Sequence, residues 1–396
     1  MRQARSLPSR PVRLSMTGLV LVEICVVGMC LHPYVLYPIT LLFMKRYHPS
    51  ARLAEAPTRR PPVAVYMSVY NEERVIVEKA RSLLEMAGDY GPATIHIYVD
   101  GATDRTAELL RPFCDRIDLV VSTCRRGKTA GLNALLDRVD TPLVAFTDGN
   151  VRTSPSDLGR LVDAFADPNV GCASARLSYS NAPDTETSTV GAAYWSLEEA
   201  VKSLETATFG VIGVDGAFFV VDRACYSPAP DNLIDDLWVS LSVLIAGRRV
   251  VSVAEVVVTE RSAVDWQEEF RRKARIACQA VNVHRRLWPQ IRRLPPTQLY
   301  GYVSHRLMKW LTPFFLLFAA IDLIVVGGFA FGWLNMLAVL VIWALLLCLA
   351  AFAGLNAARL VLAAAASLLG VGTGVIQSVL FRKTYQYWTP AASVRP

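Results

Sequence analysis

Long stretches almost without charge constrain this chain more than any other feature of its sequence. The 49 residues from 310 to 358 carry a single charge, on Asp322, and the 22 residues from 360 to 381 carry none. Near the start, residues 14–44 carry only Glu23. About 20 consecutive apolar residues suffice for a helix to cross a bilayer. The sequence therefore predicts membrane helices at 14–44, 310–331, 334–353 and 360–381. It excludes a fully soluble enzyme, a disordered chain and a small disulfide scaffold.

Basic residues lie beside these apolar stretches. The chain has 41 Lys and Arg against 34 Asp and Glu, and Lys45, Arg46 and a series between 271 and 309 flank the membrane segments. Lys and Arg collect at cytoplasmic flanks and near anionic lipid headgroups. Because no recognition motif accompanies the charge, we expect membrane lipids and no nucleic acid as partners. The eight cysteines include no CxxC pair and show no metal-site or disulfide spacing.

Changes in composition along the chain indicate six segments. A basic head and an apolar anchor precede a proline-containing linker, and ordinary soluble composition begins near residue 63. Pro33 and Pro38 predict a kink in the anchor helix. The predicted segments are a head and anchor at 1–44, a linker at 45–62, an α/β domain at 63–265, an interfacial amphipathic region at 266–309, about three membrane helices at 310–381 and a tail at 382–396.

Within the soluble part, β-type apolar runs alternate with helical patterns. The predicted strands cover 63–69, 94–100, 117–122, 143–147, 170–177 and 214–221. The predicted helices between them lie near 72–87, 104–111, 128–137 and 155–165. Alternation at this spacing predicts an α/β fold, with a mostly parallel sheet and helices on both of its faces.

Acidic and amide side chains follow the predicted strands. The motifs at three strand ends are Tyr70-Asn71-Glu72-Glu73, Asp100-Gly101-Ala102-Thr103-Asp104 and Asp148-Gly149-Asn150. Lys128 opens the helix that follows the third strand. Because ligands of parallel sheets bind outside the carboxyl ends of the strands, we expect these groups to share one edge. Each motif alone is weak, since Asp-Gly after a strand is commonly only a turn. In this order and at these positions, together they are specific.

With these motifs, the middle of the chain resembles a family 2 glycosyltransferase with the GT-A fold, a Rossmann-like domain. The resemblance covers about residues 63 to 310. Further matching motifs are Arg126-Gly127-Lys128 with Leu132-Asn133, Asp235-Asp236 and Arg272-Lys273-Ala274-Arg275-Ile276. The flanking membrane helices are similar to those of bacterial exopolysaccharide or glycolipid members of the family.

The resemblance implies how a nucleotide-sugar donor is bound. In the family, the strand-end acids hold the base and ribose, while a lysine and a divalent cation stabilise the departing diphosphate. Asp148 matches the first acid of the DxD motif, and Asn150 stands where the second acid would be. An amide oxygen still ligates Mg²⁺ or Mn²⁺. The implied donor-binding residues are Glu72, Asp100, Asp104, Lys128, Asp148 and Arg275, and the implied metal ligands are Asp148 and Asn150.

The resemblance also implies the catalytic base and the acceptor path. Asp235-Asp236 begins an amphipathic helix and matches the acidic pair of the family. We assign Asp236 as the general base, with Asp235 beside it, because adjacent carboxylates raise one another's pKa. The alternative is that both acids only complement the helix N-terminus. Asp215, Gly216 and Ala217 are expected to line the acceptor path, with a glycine-rich start of a strand as the alternative.

The sequence of residues 268–288 predicts a basic amphipathic helix. It resembles the interfacial helix that bears the QxxRW motif of polysaccharide synthases, but Arg272 stands at the Gln position and Ile276 at the Trp position. Arg275 is expected to contact the diphosphate. Because that Trp helps to form the acceptor site of processive synthases, Ile276 counts against processivity. Attachment to the membrane surface alone is the alternative.

Other polar residues are expected to have structural roles. His96 is predicted to be a core or rim residue, and Asp322 is predicted to face the helix bundle because a charge in a span is costly. A helical stretch before the glycine segment contributes residues predicted to be packing and helix-surface positions, namely Trp195, Glu198, Glu199 and Glu205.

The resemblance thus implies a membrane-anchored, metal-dependent, inverting hexosyl- or N-acetylhexosaminyltransferase. It would move a sugar from a nucleotide donor to a lipid-linked or polysaccharide acceptor at the cytoplasmic face of the inner (plasma) membrane. Polysaccharide-export proteins are expected as further partners. The alternatives are a processive synthase that extrudes its polymer and a non-catalytic membrane assembly subunit.

One feature of this topology conflicts with the charge pattern. One span before the domain and three after it would put both termini outside, with Arg382 and Lys383 on the wrong side. Either a fourth segment is re-entrant, or the charge rule is broken locally.

Overall fold

The computed structural model describes residues 16–47, 59–181 and 185–387. The predicted basic head, most of the predicted linker and the end of the predicted tail lie outside the described residues. Within them, the chain forms a soluble α/β domain and a set of long apolar helices.

Seven strands form one mixed sheet. Its strand order is β3-β2-β1-β4-β6-β5-β7. Neighbouring strands are parallel except where β6 pairs antiparallel with β4 and β5. The mostly parallel α/β sheet is therefore confirmed. The strands are β1 (Val63–Val69), β2 (Ala93–Asp100), β3 (Asp118–Ser122), β4 (Leu143–Thr147), β5 (Val170–Tyr179), β6 (Phe218–Asp222) and β7 (Arg249–Glu260).

Helices cover both faces of this sheet, and β1 shows why. Every residue of β1 is buried. Val65 and Met67 join the core on one face, while Ala64 and Tyr66 join the core on the other, as the two-residue period of a strand requires. The helices of this domain are α3 (Ile76–Tyr90), α4 (Thr106–Leu110), α5 (Lys128–Leu136), α6 (Asp157–Asp163), α7 (Glu186–Thr206) and α8 (Asp235–Ile245), which follow α1 (Met16–Leu31) and α2 (Tyr37–Tyr47).

Some predicted and observed elements of the α/β domain differ, and the helix expected near 72–87 spans Ile76–Tyr90. Strand β7 was not predicted, although its sequence is rich in β-branched residues. The strand expected at 214–221 begins only at Phe218, because residues 213–217 form a loop at the edge of the sheet. The helix expected at 155–165 begins at Asp157, whose carboxylate accepts a hydrogen bond from the backbone of Ser154 (2.7 Å).

Four long apolar helical stretches meet the length and composition needed to cross a membrane. In the first, the predicted kink at Pro33 and Pro38 takes the form of a π-helical turn, His32–Leu36, between α1 and α2. The second begins at Pro296, not at residue 310, because the short helix Pro296–Gly301 and a π-helical turn run directly into the long helix Met308–Phe331. The C-terminal helices are α9 (Trp266–Ile291), α10 (Pro296–Gly301), α11 (Met308–Phe331), α12 (Trp333–Phe352) and α13 (Asn356–Val379). Asp322 on α11 is buried, as predicted.

The last apolar helix, α13, lies along the amphipathic helix α9 and runs in the same direction. A Cβ atom at Gly370 would come within 2.8 Å of the carbonyl oxygen of Phe270, and one at Gly374 would overlap that of Ala274. Four residues later, the hydroxyl of Ser378 donates to Oδ1 of Asn282 (2.7 Å). Glycine at two positions of α13 is therefore what allows the two backbones to approach so closely.

Both ends of α13 contact the soluble domain. Near its start, Arg359 forms an ion pair with Glu186 at the beginning of α7 (3.2 Å). After its end, the side chain of Gln386 donates to the carbonyl oxygen of Arg126 (3.2 Å). The helix therefore lies along the α/β domain, between the start of α7 and the loop before α5.

Candidate active site

A cleft of about 820 Å³ opens at the carboxyl ends of β1, β2 and β4. Almost all of the predicted donor-binding and metal-binding residues line it, as the strand-end rule requires. The structure thus brings together Glu72, Asp100, Lys128, Asp148, Asn150 and Arg275.

Asp104 is the exception. Its Oδ2 accepts from the backbone of Glu73 (3.1 Å), and its Oδ1 accepts from the backbone and hydroxyl of Thr106. The side chain of Asn71 holds the same loop by accepting from the backbone of Thr103 (2.8 Å). Asp104 does not line the cleft, so its position supports a role in fixing this loop instead of the predicted contact with the donor.

Asp100 lines the cleft and also positions its neighbouring loop. Its two carboxylate oxygens accept from the backbone N–H groups of Arg126 (2.7 Å) and Gly127 (2.9 Å). Gly127 has a φ of +102°, which only glycine adopts without strain, and α5 begins at the next residue. Asp100 thereby fixes the point at which Lys128 enters the site.

Lys128 sits among acidic residues from two elements. Its Nζ lies 2.8 Å from Oδ1 of Asp148 at the end of β4 and 3.2 Å from Oδ2 of Asp235 at the start of α8. Burial opposes its charge, yet Asp148, Asp235 and Asp236 together hold the pKa of Lys128 above its ordinary value. The lysine is therefore a fixed positive charge in the cleft.

The oxygens beside Lys128 suit a hard divalent cation. Asp148 and Asn150 both line the cleft, and the side chain of Asp148 is 32% exposed. The described residues contain no cluster of three or more His, Cys, Asp or Glu side chains that could enclose a metal. Mg²⁺ commonly binds through one or two protein oxygens and completes its shell with substrate phosphates and water. The residues present fit a cation held in that way, between the protein and a diphosphate.

Asp236 has the properties of a base. Burial, followed by the adjacent Asp235, raises the pKa of Asp236 to about 7, against the opposing effect of Lys128. A Cβ atom at Gly216 would lie 3.2 Å from Oδ2 of Asp236 and 3.2 Å from Nζ of Lys128. The absence of a side chain at Gly216 therefore leaves space in front of the carboxylate.

Asp236 lines a second cavity, of about 420 Å³. The predicted acceptor residues Asp215, Gly216 and Ala217 line it together with Ile276. It extends to apolar residues of α13, namely Ala364, Leu368 and Val371. Five residues line both this cavity and the cleft: Lys128, Asp148, Glu260, Arg272 and Arg275.

Buried charges fix the loop that carries Gly216. Nζ of Lys202, on α7, lies 2.5 Å from Oδ2 of Asp215 and 2.8 Å from Oε1 of Glu199. Lys202 and Glu199 are almost completely buried. The predicted surface positions on α7 are therefore interior ones, because their partners come from distant parts of the chain.

The same correction applies to Glu198 and Glu205. Nε2 of His305 lies 2.8 Å from Glu198 and its Nδ1 lies 2.7 Å from Glu205, and all three side chains are buried. The hydroxyl of Tyr37 also donates to Glu205 (2.6 Å). This network joins the soluble domain to the first and second apolar stretches. His96, in contrast, pairs with Asp118 (3.0 Å) as a buried structural residue, in agreement with its predicted role.

Sequence reasoning missed several residues that line the site. Burial raises the pKa of Glu260, at the end of β7, to about 7. Tyr385 and Tyr387 line the cleft from the segment after α13. The guanidinium carbon of Arg125 also lies over the ring of Tyr387, 5.5 Å from the ring centroid. The β-branched run of β7 was a usable signal for Glu260, but no local signal places the tail at the cleft.

Comparison with known proteins agrees with this geometry. The family model described as glycosyltransferase like family 2 matches residues 61–279, which is more than half of the chain and includes the cleft. The chain belongs to glycosyltransferase family 2. Among curated proteins, it is 25% identical over 186 residues to beta-monoglucosyldiacylglycerol synthases from Nostoc sp. and Trichormus variabilis. These matches cover 45% of this chain and only 40% of either relative.

Among solved structures, this family 2 glycosyltransferase is similar to a mannosyltransferase from Pyrobaculum calidifontis in complex with GDP-Man and Mn²⁺. The two share 21% identity with a TM-score of 0.69, over 91% of this chain and 99% of the other. The likeness confirms the predicted GT-A fold.

Proposed function

We propose that this protein is an inverting glycosyltransferase that transfers one sugar from a nucleotide-sugar donor to a lipid acceptor at the membrane surface. The second cavity is the observation that carries the proposal. It extends from Asp236 to apolar side chains of α13. It lies beside the first cleft, which we call the donor cleft. A lipid acceptor would fill such a cavity, with its hydroxyl at Asp236 and its alkyl chain against the apolar side chains of α13.

The donor cleft supplies charge for the leaving diphosphate. Lys128 and Arg275 both line it, and burial followed by the neighbouring Arg272 lowers the pKa of Arg275 only to about 10, so it stays cationic at neutral pH. Fixed positive charges are most effective where negative charge develops in the transition state. A divalent cation on Asp148 and Asn150 would supply further charge neutralisation there. The Mn²⁺ of the Pyrobaculum mannosyltransferase supports this choice of metal.

The transfer step follows from the position of Asp236. The acceptor hydroxyl oxygen attacks the anomeric carbon and its proton passes to the carboxylate of Asp236. The bond from that carbon to the diphosphate breaks, and its electron pair leaves with the diphosphate. A pKa near 7 lets a carboxylate accept a proton efficiently at neutral pH.

A single transfer fits the second cavity, which we call the acceptor cavity, better than polymer synthesis does. Ile276 lines this cavity where the resemblance would place the Trp of the QxxRW motif. The partial match to monoglucosyldiacylglycerol synthases supports a lipid acceptor as well. The identity of the sugar, glucosyl or other, follows from neither observation.

We also propose that α13 lies on the membrane surface and does not cross it. Arg359 near its start and Gln386 after its end both contact the soluble domain. Gly372, near its middle, approaches Pro313 at the domain end of α11. Three crossing stretches would then put Arg382 and Lys383 on the same side as the domain, which the charge rule favours. Nucleotide sugars are cytoplasmic, so that side would be the cytoplasm.

The topology is tested with reporters fused after residue 396. A cytoplasmic reporter should be active there and a periplasmic one inactive, and the reverse result would contradict the topology.

The function is tested by a transfer assay with detergent-solubilised protein. Radiolabelled UDP- and GDP-sugars are incubated with Mn²⁺ and a membrane lipid extract, and label in the organic phase is counted. We expect label to enter a lipid with one added sugar. Asp236→Asn should lower the rate by about 10³-fold, within the range of general-base contributions, while nucleotide binding is retained. Label in a long water-soluble polymer would favour the processive synthase. No transfer and no nucleotide binding would favour the non-catalytic subunit.

A further inference from the structure

A buried lysine lies at the loop that carries the proposed metal ligands. Lys79 stands among apolar residues on the buried side of α3, and only 4% of it is exposed. Its Nζ donates to Oγ1 of Thr147 (3.0 Å) and to the carbonyl oxygen of Val151 (2.7 Å), both of which are uncharged. Lysines are rarely buried unless an acid pairs with them. No step of the proposed transfer uses Lys79, so its position needs another explanation.

The two partners of Lys79 are the two ends of one loop. Thr147 is the last residue of β4, and Val151 follows the motif Asp148-Gly149-Asn150. One side chain therefore joins both ends of the loop whose residues Asp148 and Asn150 line the donor cleft.

Helix α3 also holds the segment that follows this loop. The hydroxyl of Ser82, three residues after Lys79, donates to the carbonyl oxygen of Thr153 (3.2 Å). Glu78 forms an exposed ion pair with Arg152 (3.6 Å). A helix that is packed into the core thus provides a rigid support for the exit of the loop.

The same contacts reach the acceptor side of the site. The hydroxyl of Thr147 accepts from Lys79 and donates its own proton to the carbonyl oxygen of Ala217 (3.0 Å). The backbone N–H of Asp148 donates to that same oxygen (3.3 Å). Lys79 therefore supports, through Thr147, the loop that contains Gly216 as well as the loop that contains Asp148.

These hydrogen bonds do not require a charge on Lys79. Burial lowers the pKa of Lys79 to about 7, against the opposing effects of Asp148 and Asp157. An ammonium group has three N–H donors and a neutral amine still has two, which is the number used here. The lysine can thus hold the loop in either protonation state.

We propose that Lys79 is a positioning residue for the divalent cation of the donor cleft. By fixing Thr147 and Val151, it would hold the oxygens of Asp148 and Asn150 at the spacing that one cation needs. Two protein ligands with a single negative charge bind a metal weakly unless their geometry is fixed, and contacts behind metal ligands commonly serve this purpose. This inference rests on the proposed metal-dependent transfer.

The test measures nucleotide binding with and without metal, separately from transfer. UDP and GDP are titrated by calorimetry into the full-length detergent-solubilised protein, once with Mn²⁺ and once with EDTA. The ratio of the two dissociation constants gives the metal-dependent gain in nucleotide affinity. We expect Lys79→Met to reduce this gain at least about tenfold, as is typical for loss of a contact behind a metal ligand. The affinity in EDTA should stay constant, since Lys79 does not line the cleft.

A second variant removes the same link from its other end. Thr147→Val keeps the shape of the side chain but loses the hydroxyl that accepts from Lys79. It should reduce the metal-dependent gain as well, and the double variant should lose less than the two single losses combined, because both changes break one network. If Lys79→Met does not fold, Thr147→Val decides the question.

Leu83→Ala is the matched control for stability. Leu83 is a fully buried core residue of α3, one turn after Lys79. Its truncation leaves a cavity and should lower the melting temperature, but it should not change the metal-dependent gain.

The outcomes separate this inference from the proposed function. An unchanged gain in Lys79→Met and Thr147→Val, or an equal loss in Leu83→Ala, would overturn the positioning role and leave the transfer standing. Equal nucleotide binding by the wild type in Mn²⁺ and in EDTA would overturn the cation on which this role depends. A wild-type protein that binds neither nucleotide would contradict the proposed transfer itself, and the inference with it.

Discussion

Nζ of Lys202 lies 2.5 Å from Oδ2 of Asp215, so a buried lysine on α7 holds the loop that forms the wall of the acceptor cavity. The same lysine contacts Glu199, and burial opposes its charge. Its pKa is nevertheless raised, because Asp215 and Glu199 stabilise the ammonium form. The loop before Gly216 is therefore held by ion pairs inside the domain.

Asp215→Asn tests whether this contact positions the acceptor. Lys202 would keep Glu199 as a partner, so the variant should fold. A weaker hold on the loop should raise KM for the lipid acceptor about tenfold, the equivalent of one charge-assisted hydrogen bond. The affinity for the nucleotide should stay constant, since Asp215 does not line the donor cleft. Steady-state kinetics with varied acceptor, together with nucleotide titration, separate the two effects. An equal loss of nucleotide affinity would indicate a general structural defect.

Gly216→Ala tests the space in front of the base. The new Cβ would lie 3.2 Å from both Oδ2 of Asp236 and Nζ of Lys128, which is tighter than ordinary contact. Misplacement of the base or of the acceptor by a fraction of an ångström should lower kcat/KM by roughly 10- to 100-fold. Gly88→Ala is the matched control, because a Cβ there meets nothing within 4 Å and α3 gains a better helix former. Full activity of Gly216→Ala would exclude this residue from the acceptor path.

The pH dependence of transfer should report Asp236. The base acts as a carboxylate, and burial raises its pKa to about 7. Below this pH the protonated form predominates, so kcat/KM should fall about tenfold per pH unit on the acid side and level off above pH 8. Glu260 has a pKa raised to about 7 as well, so Glu260→Gln serves as the control. An acid limb that persists in Glu260→Gln belongs to Asp236. An acid limb that disappears in that variant would contradict the assignment.

The strand-end residues were predictable because their positions follow from local order. A parallel strand delivers its last side chains to one edge of the sheet, whatever the remaining chain does. Asp148 and Lys128 therefore meet where the sequence motifs predicted. The apolar stretches were equally predictable, since length and charge alone define a helix that can enter a membrane.

Other parts of the site depend on distant partners and left no local pattern. Lys202 and Glu198 occupy a helix whose sequence permits a charged surface, and only Asp215 and His305 make these positions interior. Strand β7 brings Glu260 to the site by pairing with β5, about 80 residues earlier along the chain. The sequence of α13 carries one charge, on Arg359, and satisfies the criterion for a crossing helix, so its place along α9 was not predictable from composition.

Close packing of α13 on α9 should be essential for both cavities. A Cβ atom at Gly374 would overlap the carbonyl oxygen of Ala274 and approach Cβ of Ala277 to 2.8 Å, so Gly374→Ala must push the helices apart. Overpacking of this kind costs about 1–3 kcal/mol, which should lower the melting temperature. Activity should fall further than stability, because α13 lines the acceptor cavity and leads into Tyr385 at the donor cleft. Gly28→Ala, in the apolar helix α1, has nothing within 4 Å of its new Cβ and should change neither quantity. If Gly374→Ala had the same melting temperature and the same activity as Gly28→Ala, the contact between α9 and α13 would not be part of the functional enzyme.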